Sequence, residues 1–414
     1  MAADPQTPSP PPIDQDIVQT EAFRHDPYPT YRLWRQTAPV RWIAPWGCWG
    51  LTRRDDVIEV LSQPERFSNR SRVTNIIERR RDAAFLNRIQ PLLQHFQQGL
   101  INVDPPEHTR LRRLLQKAFS PRVLRELKPR AEQIVDQTLS LAADREEIDL
   151  IQDLAFPLPV TILVELLGVD QEMSETFKRW SKEIIAFQAH PNPADEVVLG
   201  SQDALLEMRE FLRAEVERRR GRPRRGLLDD LIAVEESGAR LTVEEILSMG
   251  VSLLVAGHET TTHLIGSSLF HLMGSSAQKA LALRDDASLA NAIEEVLRFE
   301  SPIQRLGRTV TEDCTIRGQS IQAGSTVLCL LGAANRDPEH IDDPDSFDVT
   351  RPRSNHQAFG HGVHFCIGAA LARLEAPIAI AGFFDRFPEA KLAESEPVWE
   401  SGAFRGLQKL PVRL

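Results

Sequence analysis

The sequence predicts a mainly α-helical single domain that also contains small β-sheets. Helical patterning is almost continuous from Arg122 to Gly238, and a long apolar helix follows Thr242. Around residues 314–327, apolar and polar residues alternate between glycines, which indicates strands and turns. With 414 residues, 42% of them hydrophobic, the chain can bury the large core that such a domain requires.

The charge, the cysteines and the hydropathy exclude several classes of protein. The net charge of −10 argues against nucleic-acid binding, which usually needs a basic surface. The four cysteines lack the spacing of a zinc site or a disulfide framework. No apolar run reaches the ~18 residues of a membrane span, and the N-terminus is not a signal peptide. We expect a soluble cytoplasmic protein with a disordered proline-rich tail over residues 1–16 and one domain over residues 17–414.

Short elements are predicted at the start of the domain. A helix over Pro27–Thr37 is followed by strands over Val40–Ile43 and Trp49–Thr52, and then by a helix over Asp55–Leu61. Residues 68–103 are less regular and rich in arginine, a pattern that favours a solvated charged face.

A helix start is marked by Asp104-Pro105-Pro106-Glu107, because proline at a first helical position lacks only an N–H that would be unpaired anyway. His108 and Arg112 are four residues apart on this helix and therefore share a face. Elsewhere on it lies a basic patch that consists of Arg110, Arg113 and Lys117.

The middle of the chain predicts a series of helices with clear breaks between them. Periodicity favours helices over residues 131–141, 159–167, 172–187 and 201–220, with breaks at Gly168, at residues 191–193 and at residues 221–226.

A capping box at Thr242–Glu245 starts the long apolar helix, which continues to about Met273. Polar residues interrupt its apolar sequence at residues 256–261. His258 and His263 with the intervening glutamate suggest a zinc protease, but that motif needs histidines four residues apart. These are five apart, which excludes it.

Residues 359–368 read Phe-Gly-His-Gly-Val-His-Phe-Cys-Ile-Gly, and a predicted helix over Ile367–Glu375 follows directly. The glycines allow a sharp turn before the cysteine. At a helix N-terminus the dipole and unpaired N–H groups favour a thiolate, which can act as a nucleophile or a metal ligand. A buried, inert cysteine is the alternative.

The pattern Phe-Gly-x-Gly-x-His-x-Cys-x-Gly resembles the haem-ligand loop of the cytochrome P450 family, and the resemblance extends over nearly the whole chain. It implies the single-domain fold of that family and a haem b cofactor. Cys366 would be the axial ligand of the haem iron, with Phe359 in the same cofactor site. Four residues would bind the haem propionates: His108, Arg112, Arg308 and His364.

The hexapeptide at residues 256–261 is similar to the oxygen-binding stretch of the same family. The resemblance implies that Ala256 and Gly257 leave room for dioxygen, and that Glu259 and Thr260 pass protons to it. The alternative for Thr260 is a hydroxyl that only bonds back to its own helix.

Two further features relate to the family pattern. Glu295-x-x-Arg298 resembles a buried ion pair that holds the haem-binding core together, although Ser346 replaces the basic residue that many relatives add to this network. Pro377 departs from most relatives and should kink its helix.

The resemblance also suggests which residues surround the substrate. The roof of the pocket would come from residues 68–103, with the break at residues 191–193 as a mobile lid, and Phe404 could reach the pocket from the last loop. The apolar candidates in the roof are Ile76, Ile77, Phe85, Leu86 and Leu100.

The implied function is a monooxygenase that inserts one atom of O2 into a small apolar organic substrate. No flavin or iron–sulfur segment follows the cysteine, so electrons would come from a ferredoxin and its NAD(P)H-dependent reductase, with the basic patch steering the acidic partner. The alternatives are a peroxide-driven hydroxylase and a non-catalytic haem sensor or carrier. Neither of these would need Glu259 and Thr260.

Overall fold

The computed structural model describes residues 17–222, 226–236, 241–353, 355–393, 397–400 and 402–414; the predicted tail over residues 1–16 lies outside them. Within these residues the fold is mainly helical, as predicted. The helices are α1 (Glu21–His25), α2 (Tyr28–Thr37), α3 (Arg54–Ser62), α4 (Asn75–Arg80), α5 (Ala83–Arg88), α6 (Gln90–Phe96), α7 (Glu107–Leu115), α8 (Pro121–Ala142), α9 (Pro157–Leu167), α10 (Ser174–Ala189), α11 (Asp195–Arg219), α12 (Leu227–Glu236), α13 (Val243–Met273), α14 (Ser276–Ala282), α15 (Asp286–Phe299), α16 (Leu331–Ala334) and α17 (Ala369–Arg386).

The strands form three small sheets. A five-stranded sheet has the order β1-β2-β8-β5-β3, a three-stranded sheet the order β4-β10-β9, and β6 and β7 form a hairpin. The strands are β1 (Val40–Ile43), β2 (Cys48–Leu51), β3 (Phe67–Ser68), β4 (Glu147–Asp149), β5 (Arg305–Val310), β6 (Cys314–Ile316), β7 (Gln319–Ile321), β8 (Thr326–Leu330), β9 (Lys391–Leu392) and β10 (Pro411–Arg413).

Helix α13 is the central element of the core. Its first part packs in one large apolar cluster with α9, α10 and α11, and its second part packs in another with α8, α15 and α17. The predicted capping box is present, since the Thr242 hydroxyl accepts from the backbone N–H of Glu245 and the Glu245 carboxylate accepts from that of Thr242. In the described part of the chain, no helix is long and apolar enough to cross a membrane.

Most predicted elements are present with somewhat different bounds, and α8 begins earlier than predicted, at Pro121. The helix after Cys366 begins at Ala369 rather than Ile367 and continues through Pro377 to Arg386. Residues 68–103 contain three short helices, α4 to α6, which apolar residues on one side anchor to the core. These helices lack the length that makes periodicity visible in sequence.

Candidate active site

A cavity of about 350 Å³ lies between α13, α7, β5 and residues 359–368, here called the cysteine loop. The fold brings almost all of the predicted site residues to this one cavity. The residues that line it are His108, Arg112, Ala256, Gly257, Thr260, Arg308, Phe359, His364 and Cys366. Glu259 alone is absent from the lining.

The cysteine loop is shaped by two glycines with left-handed backbone conformations, Gly360 and Gly362, whose φ values are 72° and 69°. A Cβ at Gly362 would lie 2.5 Å from the carbonyl oxygen of Leu61, so α3 leaves no space for a side chain there. The backbone N–H of Cys366 donates to the carbonyl of Phe359 at 2.9 Å, which closes the loop. The sharp turn predicted from the glycines is therefore confirmed.

The Cys366 thiol faces the cavity, which makes the residue accessible although it is far inside the protein. Burial raises its pKa, while the N–H groups of Gly368 and Ala369 and the charge of Arg112 act in the opposite direction. The N–H groups at the helix start favour the thiolate as predicted, but in the protein alone desolvation outweighs them. A bound metal cation would reverse this balance.

Five cationic or imidazole side chains face the cavity together and form what we call the cationic cluster: Arg72, His108, Arg112, Arg308 and His364. The rings of His108 and His364 lie 4.1 Å apart. Burial, then Arg308 and the other members of the cluster, lower the pKa of His364 to about 2, and burial also lowers that of His108.

This cluster has the chemistry of a site for an anion. Both ring nitrogens of His108 and Nε2 of His364 are buried without a hydrogen-bond partner among the described residues. In the same part of the chain no carboxylate lines the cavity. Burying hydrogen-bond donors and cations without acceptors costs free energy. Two propionate groups would supply both the acceptors and the negative charge. The residues present therefore fit a haem b bound in this cavity.

Arg72 is a member of the cationic cluster that the sequence did not predict, since the arginines of residues 68–103 were assigned to a solvated face. Its Nη2 donates to Asn102 at 3.3 Å, its Nε is buried without a partner among the described residues, and burial lowers its pKa to about 10. The assignment is wrong for Arg72, because its backbone packs against Gly307 of β5 and the residue lines the cavity.

Helix α13 presents a face of small residues and hydroxyls to the cavity. Ala256 and Thr260 are one turn apart, and the Thr260 hydroxyl donates to the Ala256 carbonyl at 2.9 Å. Gly257 lines the cavity as well, and a Cβ there would lie 2.9 Å from Cδ2 of Leu163. Close packing of α9 on α13 is thus a second reason for glycine at this position.

Glu259 lies on another side of α13, because adjacent helical residues are about 100° apart. Its Oε1 is 3.8 Å from Nε2 of His263, and the side chain is 20% exposed. Burial raises the pKa of Glu259 to about 7, with Glu400 adding to the shift and Lys182 opposing it. Burial lowers the pKa of His263 to about 4, so that this imidazole is neutral at pH 7.

The Glu295–Arg298 pair on α15 is buried, with two bonds of 2.7 Å between guanidinium and carboxylate. Arg298 also donates to the carbonyls of Pro344 and Ser346. Nε of Arg351 lies 3.3 Å from Glu295 Oε1. Arg351 is therefore the third member of the network. It lies five residues after Ser346, the position at which many relatives have the basic residue.

Only some of the residues predicted to form the apolar walls of the cavity are found there. Ile76, Leu100 and Phe404 line the cavity as predicted. Phe404 is held there by a bridge to Ile303 and by an N–H of Ala403 that donates to Ala189 at 2.9 Å. The other predicted roof residues, Ile77, Phe85 and Leu86, pack in or against the apolar core of α9 to α11 instead.

The basic patch on α7 is smaller than predicted. Arg110 forms an ion pair with Glu245, the glutamate of the capping box. Its charge is compensated, because α13 begins beside α7. Arg113 and Lys117 are both exposed, and the described residues place no carboxylate within ion-pair distance of either.

Comparison with known proteins gives a single family. The family model described as Cytochrome P450 matches residues 60–281 and 287–402. Cytochrome P450 107B1 of Saccharopolyspora erythraea is 40% identical over 95% of this chain and 96% of its own length, and the Vitamin D(3) 25-hydroxylase of Pseudonocardia autotrophica is 39% identical over 97% of each. The crystal structure of the myxobacterial cytochrome P450 CYP267B1 in complex with myristic acid, at 36% identity, covers 96% of this chain and 98% of its own with a TM-score of 0.87.

These matches agree with the cavity, the cationic cluster and the cysteine loop. The chain belongs to the cytochrome P450 family, as a haem b-dependent monooxygenase and hence an oxidoreductase.

Proposed function

We propose that Cys366 ligates the haem iron through its sulfur and that the cationic cluster binds the two propionates. Bound haem supplies the redox chemistry by which one atom of O2 enters the substrate and the other is reduced to water. The observation that carries the proposal is the convergence of the Cys366 thiol and the unpartnered donors of His108 and His364 on one cavity. Phe359, beside the cysteine, would shield the sulfur from water.

Protons would reach the cavity through α13. Thr260 faces the cavity and can hold a proton donor at its Oγ1, whereas Glu259 is partly exposed on another side of the helix. With a pKa of about 7, Glu259 can both take up and release a proton near neutral pH. We assign Glu259 to proton uptake and Thr260 to delivery at the reacting oxygen, with Ala256 and Gly257 providing the space.

The substrate would be a mainly apolar organic molecule that is hydroxylated or epoxidised. Most of the wall away from the cationic cluster is aliphatic or aromatic, including Phe96, Leu163 and Phe404. The relatives support this class, since one is named for vitamin D(3) and another is complexed with myristic acid.

Electrons would come from a ferredoxin and its reductase in the cytoplasm, where the four free cysteines stay reduced. Arg113 lies on the exposed side of α7, the helix that carries His108 and Arg112, and Lys117 is exposed in the short helical turn that follows α7. We assign these two cations to docking of the acidic ferredoxin, because a local patch of opposite sign steers a partner even when the net charge is negative.

Substrate-dependent oxygen uptake tests the activity. The haem-loaded protein with ferredoxin, reductase and NADPH should consume oxygen and form one hydroxylated product when an apolar substrate is added. Haem loading without any turnover would indicate a sensor or carrier. Turnover with hydrogen peroxide alone, and none with the ferredoxin system, would indicate a peroxide-driven hydroxylase.

Charge reversal tests the docking surface. Arg113→Glu with Lys117→Glu should slow ferredoxin-supported turnover, most at low ionic strength, while peroxide-supported turnover stays unchanged. Arg125→Glu, an exposed arginine on α8, is the matched control. Equal losses in both assays would indicate damage at the haem, and no loss would place the docking site elsewhere.

A further inference from the structure

Arg305 is a buried arginine that lines the cavity but lies apart from the cationic cluster. It is the first residue of β5 and is 6% exposed. Arg308, three residues later on the same strand, is on the opposite face of that strand because side chains alternate.

The charge of Arg305 has no counter-charge in the described part of the chain. Its guanidinium donates to the carbonyl of Ala189 and lies 4.3 Å from the ring centroid of Trp46. Among the described residues no carboxylate lies within ion-pair distance of it and none lines the larger cavity, while Glu400 lines only the smaller cavity. The bond to Ala189 and the contact with Trp46 use only part of the five N–H donors of the guanidinium. A buried guanidinium is stabilised when a carboxylate pairs with it.

The position of Arg305 defines one end of the substrate space. A second, smaller cavity adjoins the first, and three residues line both: His190, Arg305 and Phe404. None of the proposed catalytic or haem-binding residues lines the smaller cavity. A group bound at Arg305 would therefore lie at the end of the cavity that borders this second space, and the rest of the molecule would extend toward Cys366.

Other polar groups at this end also suit an anion. Gln188 and His190 line the larger cavity beside Arg305, and both side chains can donate hydrogen bonds. Burial, then Arg305 and Arg24, lower the pKa of His190. Glu400 lines the smaller cavity but forms no ion pair with Arg305 within 4.0 Å.

We propose that Arg305 is a specificity-determining residue that binds an acidic group, such as a carboxylate, on an otherwise apolar substrate. The proposal rests on the monooxygenase function above and names the class of its substrate as apolar organic acids. The planar guanidinium matches a carboxylate with two parallel bonds, which fixes the orientation of the apolar body as well as adding affinity. The acid group anchors the substrate and is not itself oxidised.

Matched ligand pairs test this proposal in the haem-loaded protein without ferredoxin or reductase. Long-chain and polycyclic carboxylic acids are compared with their methyl esters at pH 8, and dissociation constants are measured from the shift of the haem absorption band. Wild type should bind at least some acids more tightly than their esters. Arg305→Gln should weaken the binding of these acids roughly 10- to 100-fold, because a charge-assisted bond is lost, and change the esters less than twofold.

Two further variants separate recognition from structure. Arg305→Lys keeps the charge and should retain most of the preference for acids, while Arg125→Gln makes the same exchange at an exposed site and should match wild type. Thermal unfolding reports whether the bond to Ala189 is needed for folding.

The proposal would be overturned if Arg305→Gln weakened the binding of acids and esters equally, which would indicate a structural arginine. It would also be overturned if the variant bound the acids as tightly as wild type does. A wild type that binds no acid more tightly than its ester, or binds neither, would overturn it too. Because these measurements need no electron transfer, they are independent of the ferredoxin assays that test turnover.

Discussion

The two ends of the cavity are built by different means. Around Cys366, polar groups from α7, β5 and the cysteine loop converge, and the buried Glu295–Arg298 pair supports them from behind. The roof is apolar, and the segment between α10 and α11 is tied down mainly by Arg81, which bonds Asn192, Pro193 and Asp195. The end at Cys366 thus depends on the identity of many single residues, whereas the roof, apart from the polar group at Arg305, depends mainly on size and shape.

Cys366→His is the most severe test of this difference. The variant should keep the cavity and a haem site but lose monooxygenase activity, because imidazole donates less electron density to iron than thiolate does. The absorption spectrum of the reduced carbon-monoxide complex checks this. If wild type were fully loaded with haem and lacked the red-shifted thiolate band, the assignment of Cys366 would be wrong.

Breaking the buried pair should be nearly as damaging. Arg298→Ala leaves the Glu295 carboxylate buried without its main partner and should lower the free energy of unfolding by about 3–5 kcal/mol, with loss of haem. Denaturant unfolding and the haem content of the purified protein measure this. Arg122→Ala, which breaks an exposed pair with Glu126, should change neither. Similar stabilities for both variants would contradict the proposed support of the haem end.

Thr260→Ala should leave substrate binding and oxygen consumption intact while diverting electrons into hydrogen peroxide. A positioned proton donor typically contributes 10²–10⁴-fold to a rate, and water can replace part of that here. The ratio of product formed to NADPH consumed is the measurement. An unchanged ratio would mean that the bond to Ala256 is the whole role of this hydroxyl.

The smallest effect is expected at Glu259, through pH. Its pKa of about 7 lies above the ordinary value for glutamate, so the protonated form predominates at pH 6 and falls roughly tenfold by pH 8. Product formed per NADPH should therefore decline over this range in wild type and stay flat, at a lower level, in Glu259→Gln. If product formed per NADPH varied with pH in the same way in wild type and in Glu259→Gln, Glu259 would not take part in proton transfer.

Sequence alone predicted most of the residues that meet around Cys366, because they occur in motifs with fixed local spacings. The cysteine loop, the His108–Arg112 pair and the start of α13 are each defined within a few residues, where helix and turn geometry decide which side chains meet. Contacts between distant segments were not predictable in this way. The Arg110–Glu245 pair and the position of Arg72 at the cavity depend on how α7, α13 and β5 pack together.

The roof shows why the remainder could not be predicted. Ile76 and Ile77 are consecutive on α4 and equally apolar, yet one lines the cavity and the other is in the core. Their side chains point about 100° apart, and the rotation of a six-residue helix is set by its packing rather than by its periodicity.

The order in which the segments are synthesised gives the cavity wall at Phe404 a further consequence. Cys366 and Phe404 come late in the chain, after nearly all of the other residues that line the cavity. Strand β10, which comes later still, pairs with β4 from the first half of the domain. During translation the nascent helices would therefore surround an open cleft that still lacks the proposed iron ligand and its last wall. If Cys366 binds the iron as proposed, we expect stable capture of haem only after these residues have left the ribosome.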